Sequence, residues 1–391
     1  MKIGCFSAAS NVTGIRTDVD AITALLHEND ALAFWDYAAA APYIDIKMNH
    51  PSDKTGLYDK DAIMISPHKF IGGPGTPGVL IVKRKLLKNT VPSQPGGGTV
   101  SYVSTHDHRY LSDIEVREEG GTPAIIESIR TGLVFQLKDE VGATNIAARD
   151  EAFRQRAFKA WANNPNIQIL GNKDAPRLAI ISFIIKCGDK ALHHDFVVSL
   201  LNDLFGIQSR GGCSCAGPYG HRLLNINDTQ SRQYEKLVLQ GYNGLKPGWV
   251  RLGFNYFFDD ETVDYIISAV DMIATHGWKL LPFYSFNEHT GIWRHKNTPK
   301  TVQPCLNNIS YQKNQMDFLT SRSDDEQKSM EEYLASALQI FNDPNNGDTQ
   351  PQSPSDDNQE DGLKDTENLR WFLTPQEGLV DLQAVCDIPR G

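Results

Sequence analysis

Three short apolar runs in the first 65 residues each stop at a polar or charged side chain, and this repeated ending constrains the fold more than any other feature of the sequence. Residues 2–9 run into Ser10-Asn11-Val12-Thr13-Gly14, residues 31–35 deliver Asp36, and residues 62–65 lead into Ser66-Pro67-His68-Lys69. A fourth run, residues 79–82, follows the loop Gly72-Gly73-Pro74-Gly75-Thr76-Pro77-Gly78, which is too rich in glycine and proline to continue a regular element. Between the first two runs, residues 18–28 place Val19, Ile22, Leu25 and Leu26 at helical spacing behind an acidic first turn. This alternation predicts an α/β domain around a mostly parallel sheet. Ligands of open α/β sheets bind at the carboxyl ends of the strands, which makes Asn11, Asp36 and Lys69 candidate site residues.

The rest of the chain reads differently. A helical stretch is expected over residues 124–162, broken at Gly142. It is followed by strands at 167–170 and 179–185, a helix at 195–204, a loop at 209–218, a strand at 249–254 and a helix at 261–275. That order suits a smaller α+β domain. The expected division is a partial large domain over 1–135, a small α+β domain over 136–285, and a tail over 286–391. Within the tail, residues 323–341 have the apolar spacing of one amphipathic helix (Met330, Tyr333, Leu334, Leu338, Phe341), and residues 342–366 have a disordered composition. Whether the closing Leu369-Arg370-Trp371-Phe372-Leu373 packs on the fold or on a partner stays open.

Charge and cysteine content narrow the function. The chain carries 38 Lys+Arg against 48 Asp+Glu, net −10. Residues 342–366 hold seven acids and one base, so more than half of the excess sits in the tail and says little about a substrate. Nucleic-acid binding through bulk charge is not expected. Nothing resembles a membrane span, and the first residues turn polar too soon for a signal peptide, so a cytoplasmic protein is expected, with organelle import left open. Six cysteines in 391 residues are too sparse for a secreted disulfide scaffold. Cys213 and Cys215 are the pair close in sequence. Read alone, they fit a metal half-site, a redox pair or two ordinary residues. A zinc site wants a second such pair, and only His221 is near, so no metal is expected.

A loop lysine gains meaning from its company. Pyridoxal phosphate chemistry needs an amine for the Schiff base, a carboxylate to keep the pyridine nitrogen protonated, and donors for the phosphate. Lys69, Asp36 and Ser66 or His68 supply these groups. Ser10-Asn11-Val12-Thr13-Gly14, Trp35-Asp36-Tyr37-Ala38-Ala39 and Ser66-Pro67-His68-Lys69 with its glycine-rich sequel resemble the class V aminotransferase family, in particular its cysteine desulfurase and selenocysteine lyase branch. The resemblance implies a partial fold type I large domain with a smaller α+β domain. It also implies pyridoxal 5'-phosphate as cofactor, with Lys69 as the internal aldimine and Asp36 at the pyridine nitrogen. Ser66 and His68 would bind the phosphate or orient the imine, and Asn11 would touch cofactor or substrate carboxylate. Glu119-Gly120-Gly121-Thr122-Pro123 is similar to the family segment that reaches the partner subunit's phosphate. Gly121 and Thr122 inherit that role, and a homodimer follows.

Arg210-Gly211-Gly212-Cys213-Ser214-Cys215-Ala216-Gly217-Pro218 is similar to the family's desulfurase loop, in which Cys215 takes the nucleophile's place and Cys213 stands where histidine is more usual. Trp249-Val250-Arg251-Leu252-Gly253 resembles the strand whose arginine clamps the substrate carboxylate, a task suited to a guanidinium fork. By this resemblance a small amino acid, L-cysteine, yields alanine and an enzyme persulfide on Cys215. His68 and Arg210 assist, and a sulfur-acceptor protein is an expected partner. An aminotransferase or lyase that ignores Cys215, or a non-catalytic interaction protein that keeps the fold, are the alternatives.

The likeness covers residues 2–281 and has three departures. Ala39 stands where the desulfurases carry a glutamine for the cofactor's phenolic oxygen. Residues 219–247 form an insertion. The family's upstream part, with its ring-stacking histidine and Gly-Ser/Thr phosphate turn, has no counterpart in the chain. Cofactor binding is therefore expected to be weaker, by roughly 1.5–3 kcal/mol for each charge-assisted hydrogen bond lost. An exposed strand edge or apolar face is expected as well.

Overall fold

A computed structural model of the chain describes residues 1–298, 306–311, 315–318, 328–343 and 367–378. The chain divides into two units. One comprises Met1–Arg156, Gly171–Ile181 and Gly253–Tyr256, and the other Ala157–Leu170, Ser182–Leu252 and Phe257–Gly391.

In the first unit, β1 (Lys2–Ser7), α1 (Val19–Glu28), β2 (Ala31–Asp36), β3 (Ala62–Ile65) and β4 (Val79–Val82) realise the predicted alternation. The sheet order is β1-β2-β3-β4, with the first three strands parallel and β4 antiparallel. Asp18 caps α1 by accepting the Ala21 N–H, and the helix buries Thr23, whose hydroxyl accepts from the Trp35 indole at 2.9 Å. Along β2, Ala31, Ala33 and Trp35 point inward. Ala33 and Trp35 join Tyr37, Ile63, Ile65 and Phe70 in one core. A hairpin of β5 (Val100–Val103) and β6 (His108–Tyr110) follows, then α2 (Ile114–Glu118), α3 (Ile125–Val141) and α4 (Ala143–Trp161). Gly142, at φ +83, separates the last two at the expected break. The hairpin was not expected, because its strands are short and lie almost wholly exposed. Apolar side chains on the outer strands, Ile3 and Phe6 on β1 and Leu80 and Ile81 on β4, are exposed.

The second unit is built on β7 (Ile167–Ile169), β8 (Ile180–Cys187), β9 (Lys190–Ala191), α5 (His194–Phe205), β10 (Arg210–Gly212), α6 (Gly217–Leu223), α7 (Asp228–Leu239), β11 (Trp249–Gly253) and α8 (Asp260–His276). Its sheet runs β10-β11-β8-β7, with β9 beside β8. The expected insertion is helical. Asn227 and Gln230 form a capping box at the start of α7. Regular structure continues beyond α8: β12 (Tyr284–Phe286) and β13 (Trp293–His295) form a hairpin, and α9 (Met330–Asn342) packs on α8 and α5 with Phe341 fully buried. The predicted helix over 323–341 begins later because Ser329 caps it, in a box with Glu332. Of the predicted disordered segment, only Asn342 and Asp343 are among the described residues.

The closing segment settles on the fold. Trp371 lies 5.2 Å from His193, ring to ring, and Phe372 is fully buried against His193, Phe286 and Trp293. Ala191 N–H donates to Trp371 O at 3.1 Å and Leu373 N–H to Ala191 O at 3.0 Å. Trp371 also walls a cavity of about 400 Å³ shared with Lys186, Asp189, Lys190, Gln230 and Tyr234. The contact division keeps α4 with the first unit as far as Arg156 and assigns the segments after residue 285 to the second.

Candidate active site

Register decides what the first unit brings together. Ser7 pairs with Asp36 across β1 and β2, and Asp36 pairs with Met64 across β2 and β3. Three parallel strands thus end side by side, and Asn11, Asp36 and Ser66–Lys69 all emerge from that end. Asp36 Oδ1 accepts the Ala38 N–H at 2.7 Å, which fixes the carboxylate, and the Ser7 hydroxyl stands 3.4 Å from Oδ2. Ser7 went unnoticed in the sequence; it is the last residue of its strand, and only the pairing puts it beside Asp36. The neighbouring Tyr37 is buried, and that burial pushes its phenol up, so it stays neutral in the core.

Lys69 ends a single 3-10 turn, Pro67–Lys69, in which Pro67 and the following Phe70 are buried while His68 and Lys69 are exposed. The turn is closed by Lys69 N–H to Ser66 O at 3.1 Å and Phe70 N–H to Pro67 O at 2.9 Å. Phe70 anchors it against Phe135 of α3 at 4.9 Å, with the Lys138 ammonium 5.9 Å above its ring. Burial lowers the Lys138 pKa, and its Nζ is held by Ile44 O at 2.5 Å. Gly73 folds back beneath the turn so closely that a Cβ there would meet Pro67 O at 2.0 Å. The glycine-rich loop thus braces the lysine turn, a packing use beside the phosphate approach expected of it. Arg130 donates to Pro74 O at 2.7 Å and ties the loop to α3. Gly121 and Thr122 are not at the strand ends. They occupy the exposed loop between α2 and α3, where Gly121 has φ +84 and donates its N–H to Gly97 O at 2.7 Å.

The second unit holds Arg210, Cys215 and Arg251. Arg210 of β10 lies directly opposite Arg251 of β11. Directly opposed residues on an antiparallel pair share a face, and like charges there cost stability. Such an arrangement makes sense where an anion is bound. Cys215 and Cys213 are exposed, and the Arg210 guanidinium donates toward Cys215 Sγ at 3.6 Å. Gly211 lets the strand pass α5, since a Cβ there would meet Asp195 Oδ1 at 2.1 Å.

His193, His194 and Asp195 lie close enough together to suggest a metal site. His193 argues against one, because both of its ring nitrogens are engaged: Nε2 donates to Gly244 O at 2.9 Å and Nδ1 accepts the Asp195 N–H at 3.1 Å, which caps α5. Burial, with His194 beside it, holds His193 well below the usual histidine range, consistent with a neutral structural ring.

A pyridine cofactor with a phosphate tail suits the first unit's donor set. It offers an exposed amine on a braced turn, a carboxylate fixed by the backbone at the end of the adjacent strand, and a hydroxyl and an amide at the same strand ends. A family model for class V aminotransferases matches residues 1–266. Among curated relatives, a cysteine desulfurase from Escherichia coli is 31% identical over 209 residues, 54% of this chain and 48% of that protein; the chain spans about half the length of such relatives. Among solved structures, an apo cysteine desulfurase from Thermococcus onnurineus superposes with a TM-score of 0.57 at 22% identity, covering 70% of this chain and 60% of that one. A mutant of the cystine C-S lyase C-DES with glycine covalently linked to its pyridoxal phosphate cofactor gives 0.51 at 17% identity, covering 69% of this chain and 60% of that one. These structural matches establish a mixed α/β fold of the pyridoxal-phosphate type.

Proposed function

Because the chain belongs to the class V aminotransferase family, whose enzymes depend on pyridoxal phosphate, we propose that it works as a cysteine desulfurase, taking sulfur from L-cysteine onto Cys215 and leaving alanine. The observation that carries this reading is the placement of the Arg210 guanidinium 3.6 Å from Cys215 Sγ, with Arg210 directly opposite Arg251. A transaminase has no use for a thiol so placed.

In this proposal Lys69 Nζ and Asp36 hold the cofactor, with Ser66, His68 and Asn11 around it and Gly121 and Thr122 serving the partner subunit's site in a homodimer. When bound, pyridoxal phosphate supplies the electron sink that makes the substrate Cα proton acidic. Asp36, fixed by the Ala38 N–H, would present its carboxyl group to the pyridine nitrogen. Lys69 would hold the cofactor and move the substrate Cα proton at Nζ, with the exposed His68 one residue away. Arg251 grips the substrate α-carboxylate through two parallel N–H donors. Arg210 sets a cation beside Cys215 Sγ. Sγ then attacks the substrate sulfur, the Cβ–S bond breaks and an S–S bond forms on Cys215. The exposed cysteine loop suits transfer to an acceptor protein, and a cytoplasmic setting belongs to the same proposal. No helix among the described residues is long and apolar enough to cross a membrane.

The test supplies pyridoxal phosphate and L-cysteine and measures alanine together with enzyme-bound sulfane sulfur. Both appear with the natural chain, and Cys215→Ala lowers both by about two orders of magnitude or more. Unchanged alanine production in Cys215→Ala refutes the desulfurase reading.

A further inference from the structure

The desulfurase reading uses one thiol of the loop, yet the loop presents two. We propose that Cys213 is a second sulfur carrier: resting on that reading, it takes the sulfane sulfur from Cys215 and frees Cys215 for another turnover.

The backbone builds the pair. Cys213, Ser214, Cys215 and Ala216 form a turn closed by the Ala216 N–H donating to Cys213 O at 3.1 Å. Its two central residues are both left-handed, Ser214 at φ +53 and Cys215 at φ +59, and neither is glycine. Residues with a side chain rarely hold that conformation, so the fold sustains strain at the centre of the turn, at Ser214 and Cys215. With Ser214 in the left-handed helical region, the Cα atoms of Cys213 and Cys215 come about 5.5 Å apart, within the roughly 4.4–6.8 Å at which the sulfurs of two cysteines can meet. Ser214 between them is 2% exposed and pins the turn's centre, while both cysteines face solvent. Entry and exit are fixed as well: Gly212 pairs with Trp249 on β11, and α6 starts at Gly217 with Pro218 in its first turn.

Charge gives the transfer a direction. The Cys213 thiolate attacks the outer sulfur of the Cys215 persulfide. The bond from that sulfur to Cys215 Sγ breaks, and its electron pair returns to Sγ as thiolate. A new S–S bond makes Cys213 the persulfide. One S–S bond is exchanged for another, so no oxidant or reductant is consumed, and the proton of the Cys213 thiol passes to solvent. Thiol exchange runs faster toward the better leaving thiolate. The guanidinium of Arg210 lies against Cys215 Sγ, where that negative charge develops. The pair then holds two sulfurs per chain.

The experiment uses the full chain with pyridoxal phosphate and L-cysteine, without acceptor. Alkylation and tryptic mass mapping follow, since residues 211–222 fall between two arginines and carry both thiols in one peptide. The natural chain is expected to load two sulfane sulfurs, and Cys213→Ser one. Cys213 is expected to carry at least about tenfold less sulfur in Cys215→Ala, because vicinal delivery works at an effective concentration that free substrate does not match. Sulfur confined to Cys215 in the natural chain overturns the relay while leaving the desulfurase reading intact. Undiminished loading of Cys213 in Cys215→Ala overturns it by making Cys213 the primary acceptor. A Cys213–Cys215 disulfide with sulfide released overturns it by replacing transfer with expulsion. Absence of bound sulfur in every variant overturns the relay and the desulfurase reading together.

Discussion

Truncating Phe372 tests how the closing segment is held. The ring is fully buried, 4.6 Å from His193 and 5.2 Å from Phe286 and Trp371. Phe→Ala at a site of this kind costs about 3–5 kcal/mol. Because residues 367–378 pair with the body through Ala191, loss on that scale detaches the segment before it unfolds the unit. Native-state hydrogen exchange at the Ala191 and Leu373 amides, which close the two backbone bonds, is the assay. Their exchange in Phe372→Ala should accelerate roughly 150- to 5000-fold while β8 keeps its protection. The same clasp has a pH signature. Burial alone would raise the Glu377 pKa, but donors from Arg370, the Thr374 N–H and Lys190 outweigh it and hold the carboxyl down at about 2. A lowered pKa means that the stabilisation is complete above the ordinary value of 4.5 and fades as pH falls toward about 2. The carboxylate is one-third exposed, so the contribution is about 1–2 kcal/mol after solvent screening. Unchanged Ala191 exchange in Phe372→Ala, or protection of that amide independent of pH between 5 and 2, would refute the reasoning.

Three further outcomes follow from the geometry. Gly73→Ala sets a Cβ against Pro67 O and must displace the lysine turn, so cofactor capture by Lys69, followed as visible absorbance on titration with pyridoxal phosphate, should fall at least about tenfold with the melting temperature lowered; normal capture would mean the brace does not matter. Asp150 is buried on α4, and burial pushes its carboxyl to about 7, only partly offset by the nearby Ala179 N–H. A raised pKa means that this group favours the fold at low pH and that the benefit disappears as pH rises through about 7. Denaturant titration should therefore find Asp150→Asn more stable than the natural chain at pH 8, by about 2–4 kcal/mol at most, and the two alike near pH 4. Arg210→Ala relieves the opposition to Arg251, so the melting temperature should hold or rise, equivalent to about 0.2–1 kcal/mol, while sulfur loading on Cys215 falls; a rise in both would separate Arg210 from the chemistry.

The strand ends were legible because short apolar runs and the polar residues that stop them are local facts. β2, β3 and β4 lie where the runs predict, and the break at Gly142 follows from one residue's freedom. What escaped depends on contacts distant in sequence. β5 and β6 are short and solvated, so no buried face marks them. α7 is polar over most of its first nine residues, with its apolar side chains gathered at Leu237–Leu239, although its Asn227–Gln230 box was a readable signal. The aromatic cluster draws on positions 193, 286, 293, 371 and 372, which no window of sequence spans. The candidate site shows the same division. Lys69, Asp36 and Cys215 are recognisable by type and neighbours, whereas the pairing of Arg210 with Arg251 and of Ser7 with Asp36 exists only through register.

The central claim is that the strand-end lysine of the first unit carries pyridoxal phosphate. Incubating the full chain with the cofactor, reducing with borohydride and mapping the modified peptide tests it without requiring turnover. One pyridoxyl group per chain is expected on Lys69, lost in Lys69→Ala and strongly reduced in Asp36→Ala. Modification spread over other lysines, or undiminished in Lys69→Ala, would contradict it.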